Sequence, residues 1–156
     1  MPHKRIKISE GSFLRDKFPI IVHIMLIQNE EVFLLRRQKT GVMDGWYGLP
    51  GGHMEYGETV KEAAIRECVE EAGVEINTII LRDIYSYRFE QEQGLNFVFF
   101  SEDWVGMAIN AEPEVFDDAR CFPLQELPGK TIGWVRASIS SVRSGRKGVS
   151  LIEDFE

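Results

Sequence analysis

The chain has 156 residues, 44% hydrophobic and 28% charged, a composition that suits one globular domain with a substantial core. Its formal net charge of -7 and sequence pI near 5.1 argue against nonspecific binding to nucleic acid or to an anionic membrane. A small phosphorylated ligand stays open, because a bound divalent cation inverts the local field.

The opening MPHKRIKISEGSF lacks an apolar core of signal-peptide length. The longest apolar run, Ile20 to Ile27, is interrupted by His23 and too short to span a bilayer. A cytoplasmic protein is therefore expected, with one domain over residues 1–156. Residues 1–17 are polar and read as a lead-in or an added edge strand. Cys68 falls inside a helical pattern and Cys121 in an apolar run, so both read as small core residues in a reducing compartment.

In chain order, Ile20–Ile27 and Val32–Arg37 read as strands around the turn Gln28–Glu31. Residues 38–48 form a Gly-rich loop, and Leu49-Pro50-Gly51-Gly52 turns the chain. A helix is predicted from about Thr59 to Ala72, with Thr59 and Glu62 as a capping box and Gly73 as its stop. Strands follow near Thr78–Phe89, Leu95–Trp104 and Arg120–Pro123. A second helix spans roughly Gly133–Ser144, ending at a basic stretch, Arg143–Lys147, that suits a helix C-terminus. The order β-β-α-β-β-β-α suggests an α+β or mixed α/β fold.

The first helix concentrates negative charge. Glu67, Glu70 and Glu71 stand at i, i+3 and i+4 and so are expected to converge on one patch. Like charges at this spacing cost a few tenths of a kcal/mol per exposed pair. A solvated acidic face is the plain reading of such a triplet. A hard cation held by carboxylate oxygens is the alternative, and Mg2+ fits it. The triplet also has company, with a Gly-Gly turn and Glu58 before it and Arg66 beside it.

Together these residues resemble the signature of the Nudix hydrolase family, G-x5-E-x7-R-E-U-x-E-E-x-G-U, where U is a bulky aliphatic. Gly52, Glu58, Arg66, Glu67, Glu70, Glu71, Gly73 and Val74 take its positions, and Cys68 is the one departure. The preceding Trp46–Gly51 and the element order extend the likeness. The resemblance implies an α/β/α sandwich with a mixed sheet, and hydrolysis of a nucleoside diphosphate linked to another group by attack of a metal-activated water on phosphorus. It makes Glu67, Glu70 and Glu71 the ligands of Mg2+ or Mn2+, with Glu67 or Glu71 also taking the water's proton. Glu58 and Arg66 become supports, and the carbonyl of Gly51 or Gly52 a further ligand. Family members often add an acidic group late in the fold; Glu112 is the first candidate and Glu114 the second, against a solvated turn before Pro113.

Other assignments keep their alternatives. One of Arg36 and Arg37 is expected to reach a phosphate, the other reading being a surface ion pair. His23 either lines a nucleoside pocket or is a satisfied core histidine, and His53 packs the loop. Tyr85, Tyr87, Phe89 and Phe97 are candidates to stack a base or to pack the sheet. Trp46 and Trp104 read as core or rim, and Trp134 as an anchor for the last helix. The family's ADP-ribose type tends to carry a proline past the signature, where Arg88–Gln91 stand here, and its dinucleoside polyphosphate type a tyrosine, where Gln91 and Glu92 stand. By subtraction the substrate is a nucleoside triphosphate or related small nucleotide. The alternatives are an ADP-ribose or nucleotide-sugar pyrophosphatase and, from another class, a non-catalytic nucleotide sensor. RNA is disfavoured by the charge, and a homodimer is in keeping with the family.

Overall fold

A computed structural model of the chain describes residues 15–155. The proposed lead-in therefore falls largely outside the described residues; Arg15 to Pro19 form no strand, and β1 (Ile20–Gln28) begins after them. Its sequence, IIVHIMLIQ, is the near-continuous apolar run of a strand covered on both faces. Asn29 and Glu30, both left-handed (φ 52 and 58), turn it into β2 (Glu31–Arg37), a tighter hairpin than the four-residue turn expected.

Two short strands follow inside the Gly-rich region, β3 (Tyr47–Gly48) and β4 (Gly51–His53), before α1 (Val60–Ala72). The long hairpin β5 (Glu75–Phe89) and β6 (Glu92–Val105) leads to β7 (Phe116–Pro123), α2 (Gly133–Arg143) and β8 (Ser150–Phe155). Strands β3, β4 and β8 are additions to the expected order. Two or three residues are too few to show a strand period, and Gly is a poor strand former. β8 is acidic at its end and is placed by pairing in parallel with β5.

The sheet is mixed, in the order β3-β2-β1-β6-β5-β8, with β4 added to β1 and β7 to β2. Alternation along β1 sends Val22, Ile24 and Leu26 to one face, where they join Phe33, Leu35 and the small α1 residues Ala63, Ala64, Cys68 and Ala72. Met25 and Ile27 point the other way, with Val32 and Leu34, onto Val135 and Ile139 of α2. One helix thus covers each face, the α/β/α sandwich that the resemblance implied. Each fully buried aliphatic contributes about 1.5–3 kcal/mol, more than a typical net hydrogen bond at about 1 kcal/mol, so these two clusters hold the layers together.

Cys68 is buried as expected, but Cys121 is exposed. It lies opposite Phe33 on β7, while its neighbour Phe122 packs into the α2-side cluster. The basic stretch after α2 also departs from expectation. Arg143 sits in the last turn, but Arg146 reaches across to β5 and pairs with buried Asp83 at 2.5 Å. Among the described residues no helix is long and apolar enough to cross a membrane.

Candidate active site

The site grows from the junction of β4 and α1. Thr59 Oγ1 accepts the Glu62 amide at 3.2 Å, and the Glu62 carboxylate accepts the Thr59 amide at 2.8 Å, so the predicted capping box starts the helix. Gly73, at φ 67, ends it by donating its amide to the Val69 carbonyl. β4 lies antiparallel on β1, with Val22 opposite Gly52 and His23 opposite Gly51. The two glycines are needed for different reasons. A Cβ on Gly51 would stand 2.1 Å from the Val22 carbonyl oxygen, and one on Gly52 would stand 2.5 Å from Glu67 Oε1. The turn is therefore pressed against the backbone of β1 on one side and the carboxylates of α1 on the other.

Three of the four signature carboxylates share one guanidinium. Arg66 Nε and Nη2 donate to the two oxygens of Glu58 at 3.0 and 2.7 Å, a fork-on-fork pair. Its Nη1 donates to Glu67 Oε1 at 2.8 Å and Glu70 Oε2 at 3.2 Å, and its Nη2 also donates to the His53 carbonyl at 3.0 Å. Arg66 together with the Glu55 amide holds the Glu58 carboxyl at about 2. Arg66 thus ties loop 53–58 to α1 and supplies the positive charge among these acids.

Glu71 turns the other way. It is buried, and its Oε2 accepts the Gly51 amide at 2.8 Å. Burial pushes its carboxyl up to about 8, against the Gly51 amide; Glu67 and Glu112 push it further and Arg37 eases it. Burial likewise raises Glu67, and Glu112 is raised by burial and by the charges of Glu114, Glu67 and Glu70. Glu112, on the loop before β7, therefore shares the field of the helix carboxylates.

Glu67, Glu70 and Glu71 share one turn of α1 as expected, but their carboxylates take different partners. Among the described residues no three carboxylate, imidazole or thiol groups are grouped closely enough to chelate a cation. The reason is Arg66, which draws Glu67 and Glu70 to itself while Glu71 faces Gly51. The donor set nevertheless suits a hard divalent cation. It consists of carboxylates only, two of them with proton affinity raised by burial, and Glu67 abuts a glycine rather than a side chain.

The other named residues divide. Arg37 Nε donates to the Val42 carbonyl at 2.7 Å, and its charge acts on both Glu71 and His23. Arg36 points to the opposite face, where it pairs with Asp117 at 2.6 Å and lies over the Tyr47 ring. Half-buried His23 puts Nδ1 2.9 Å from Asn96 Oδ1, with its ring edge-on to Trp134 at 4.9 Å. Phe97 packs into the α1-side cluster and so lies on the other face from its neighbour Asn96. Tyr87 sits near the β5–β6 turn, opposite Gly94, with a buried hydroxyl that has no partner among the described residues. His23, Tyr87 and Phe97 are thus not brought into one pocket. Asn96 is the residue that sequence reasoning passed over; its signal was a polar side chain inside the apolar strand LNFVFF.

Burial lowers the His23 imidazole from its usual 6.5 to about 4. The neutral form is favoured in the fold, so this group's contribution to stability is present above pH 6.5 and lost as pH falls through 4. Melting temperatures of the wild type and His23→Gln, followed from pH 7 to pH 4, should diverge at the low end, with the variant losing less. Parallel curves would mean that His23 is not held neutral.

The family model described as the NUDIX domain matches residues 17–141. The chain is 33% identical over 104 residues to an ADP-ribose pyrophosphatase of Methanocaldococcus jannaschii, covering 66% of this chain and 61% of that protein. It is 32% identical over 90 residues to an 8-oxo-dGTP diphosphatase of Escherichia coli, covering 58% of this chain and 70% of that protein. The match thus spans less than two thirds of the archaeal relative's length. Among solved structures, the MutT NUDIX hydrolase from Burkholderia pseudomallei superposes with a TM-score of 0.75 at 22% identity, covering 81% of this chain and 99% of that one, a likeness of fold. With the domain match extending over most of the residues and the capped acidic helix on its Gly-Gly turn in place, the chain belongs to the Nudix hydrolase family.

Proposed function

We propose that the chain is a metal-dependent pyrophosphohydrolase that cleaves a nucleoside diphosphate linked to a further group, with a nucleoside triphosphate or related small nucleotide as substrate. The observation that carries this reading is the carboxylate group around the Gly51–Gly52 turn, with Glu71 buried on the Gly51 amide and Glu67 against Gly52.

In this reading Glu67, Glu70 and Glu71 hold Mg2+ or Mn2+, with Glu112 and the Gly51 carbonyl as further oxygen donors. A divalent ion there supplies charge neutralisation for the diphosphate and lowers the pKa of the attacking water. As a ligand Glu71 would have to be in its carboxylate form. Glu67 or Glu71 would also take the water's proton. Arg37 offers a cation to a phosphate oxygen, and Arg66 with Glu58 keeps the turn and the helix in register.

His23 and Asn96 bear on the nucleoside. His23 Nδ1 lies 2.9 Å from Asn96 Oδ1, so an imidazole and a carboxamide stand together, with Trp134 edge-on to the ring. A donor and an acceptor side by side suit the edge of a base. A second reading, an ADP-ribose or nucleotide-sugar pyrophosphatase, is favoured by the likeness to the archaeal ADP-ribose pyrophosphatase.

The test is release of phosphate or pyrophosphate from nucleoside triphosphates, oxidised and methylated triphosphates, ADP-ribose, nucleotide sugars and dinucleoside polyphosphates. Each is run with Mg2+, with Mn2+ and with chelator. Metal-dependent turnover of triphosphates supports the first reading, and turnover confined to ADP-ribose or sugars replaces it with the second. Binding without turnover across the panel would make the protein a nucleotide sensor.

A further inference from the structure

Glu112 stands in an irregular loop directly before Pro113, next in sequence to a residue that bonds the end of α1. An irregular loop keeps one position only where its backbone groups are bonded. It is tied on two sides. Toward α1, the amides of Ile109 and Ala111 donate to the carbonyls of Ala72 and Glu71 at 2.9 and 3.0 Å, satisfying acceptors that the helix end leaves without intrahelical partners. Within the loop, Asn110 Oδ1 accepts the Glu112 amide at 3.2 Å, and Asn110 Nδ2 donates to the Phe116 carbonyl at 2.8 Å. One side chain thus spans the loop and fixes the backbone of Glu112 itself. On the far side, Gln38 follows Arg37 in sequence. Its amide donates to the Val115 carbonyl at 2.9 Å and its Nε2 to the Pro113 carbonyl at 2.8 Å.

We propose that Asn110 and Gln38 are positioning residues that hold the Glu112 loop against the end of α1 and so set the affinity of the metal site. The inference rests on the reading above that Glu112 is one of the oxygen donors. Neither side chain touches substrate or metal; each acts through the loop. Asn110 governs the direction of Glu112, and Gln38 links that loop to the strand end that carries Arg37.

The test is direct Mn2+ binding, read from the electron paramagnetic resonance signal of free Mn2+, on the full chain without substrate. Glu112→Gln is the reference, Asn110→Ala and Gln38→Met are the probes, and Asn110→Ala is also placed in the Glu112→Gln background. The single probes should weaken Mn2+ binding about tenfold, the effect of losing one or two hydrogen bonds, with KM for nucleotide nearly unchanged. In the Glu112→Gln background Asn110→Ala should add nothing, because residues acting as one unit are not additive. Asn110→Asp, which keeps the acceptor and loses the donor, should fall between the two. Additive losses would overturn the inference and leave Asn110 a general brace of the fold. Wild-type Mn2+ affinity in both Asn110→Ala and Gln38→Met, with Glu112→Gln impaired, would overturn it as well. Wild-type affinity in Glu112→Gln would remove the reading beneath it, that Glu112 is a ligand at all. Gln38 lies in a different segment from Asn110, so failure of one variant to fold does not remove the test.

Discussion

Glu71→Gln should lower Mg2+-dependent turnover by about 10²–10⁴-fold, the range expected for a positioned acid–base or charge-stabilising group, without loss of the fold. Glutamine has nearly the same shape and keeps an oxygen to accept the Gly51 amide. It removes a negative charge that burial disfavours. The folded carboxyl of Glu71 sits at about 8 against an ordinary 4.5. Its contribution to stability is therefore present below pH 4.5 and lost as pH rises through 8. In chelator, the wild type should lose melting temperature as pH rises from about 4.5 to about 8, and Glu71→Gln should lose less. Glu70→Gln should also cost most of the turnover but change this pH profile little, since Glu70 is half-exposed and paired with Arg66. Full turnover in either variant with Mg2+ would mean that the carboxylates do not hold the metal.

Arg66→Leu should produce the largest combined loss. It leaves Glu58, Glu67 and Glu70 facing each other without the guanidinium and frees the His53 carbonyl. A drop in melting temperature of roughly 5 °C or more is expected, since a chain of this size shifts about 2–4 °C per kcal/mol. Turnover should fall with it, because loop 53–58 and the Gly51–Gly52 turn lose their tie to α1. Arg66→Lys should recover little. A single ammonium cannot reproduce the fork on Glu58 and also reach Glu67, Glu70 and the His53 carbonyl. A lysine variant with wild-type melting temperature and turnover would show that charge alone is enough there. Added Mn2+ should raise the melting temperature of Arg66→Leu more than that of the wild type, because a cation replaces the missing positive charge.

What the sequence determined by itself was local and periodic. The capping box at Thr59 and Glu62, the stop at Gly73 and the spacing of Glu67, Glu70 and Glu71 on one helix follow from residues within a few positions of each other. The buried run of β1 and the long β5–β6 hairpin were legible for the same reason, since their periods span enough residues to read. Family membership was legible in the fixed spacing from Gly52 to Val74.

Only the tertiary structure decided which partners those side chains choose. Arg66 was visible as a neighbour of the acids, but that it takes Glu58, Glu67 and Glu70 together depends on loop 53–58 folding back over α1. Arg36 and Arg37 are adjacent and alike in sequence. The pleat sends one to Asp117 and the other to the Val42 carbonyl, and the sheet's orientation against α1 settles which is which. His23 and Asn96 are 73 positions apart and meet because β1 and β6 run in parallel. β3, β4 and β8 exist through pairing with strands already in place rather than through any preference of their own. Contacts between distant segments form only when hydrophobic burial on both faces of the sheet sets the register, and the register is what seats the Gly51–Gly52 turn between β1 and the carboxylates of α1.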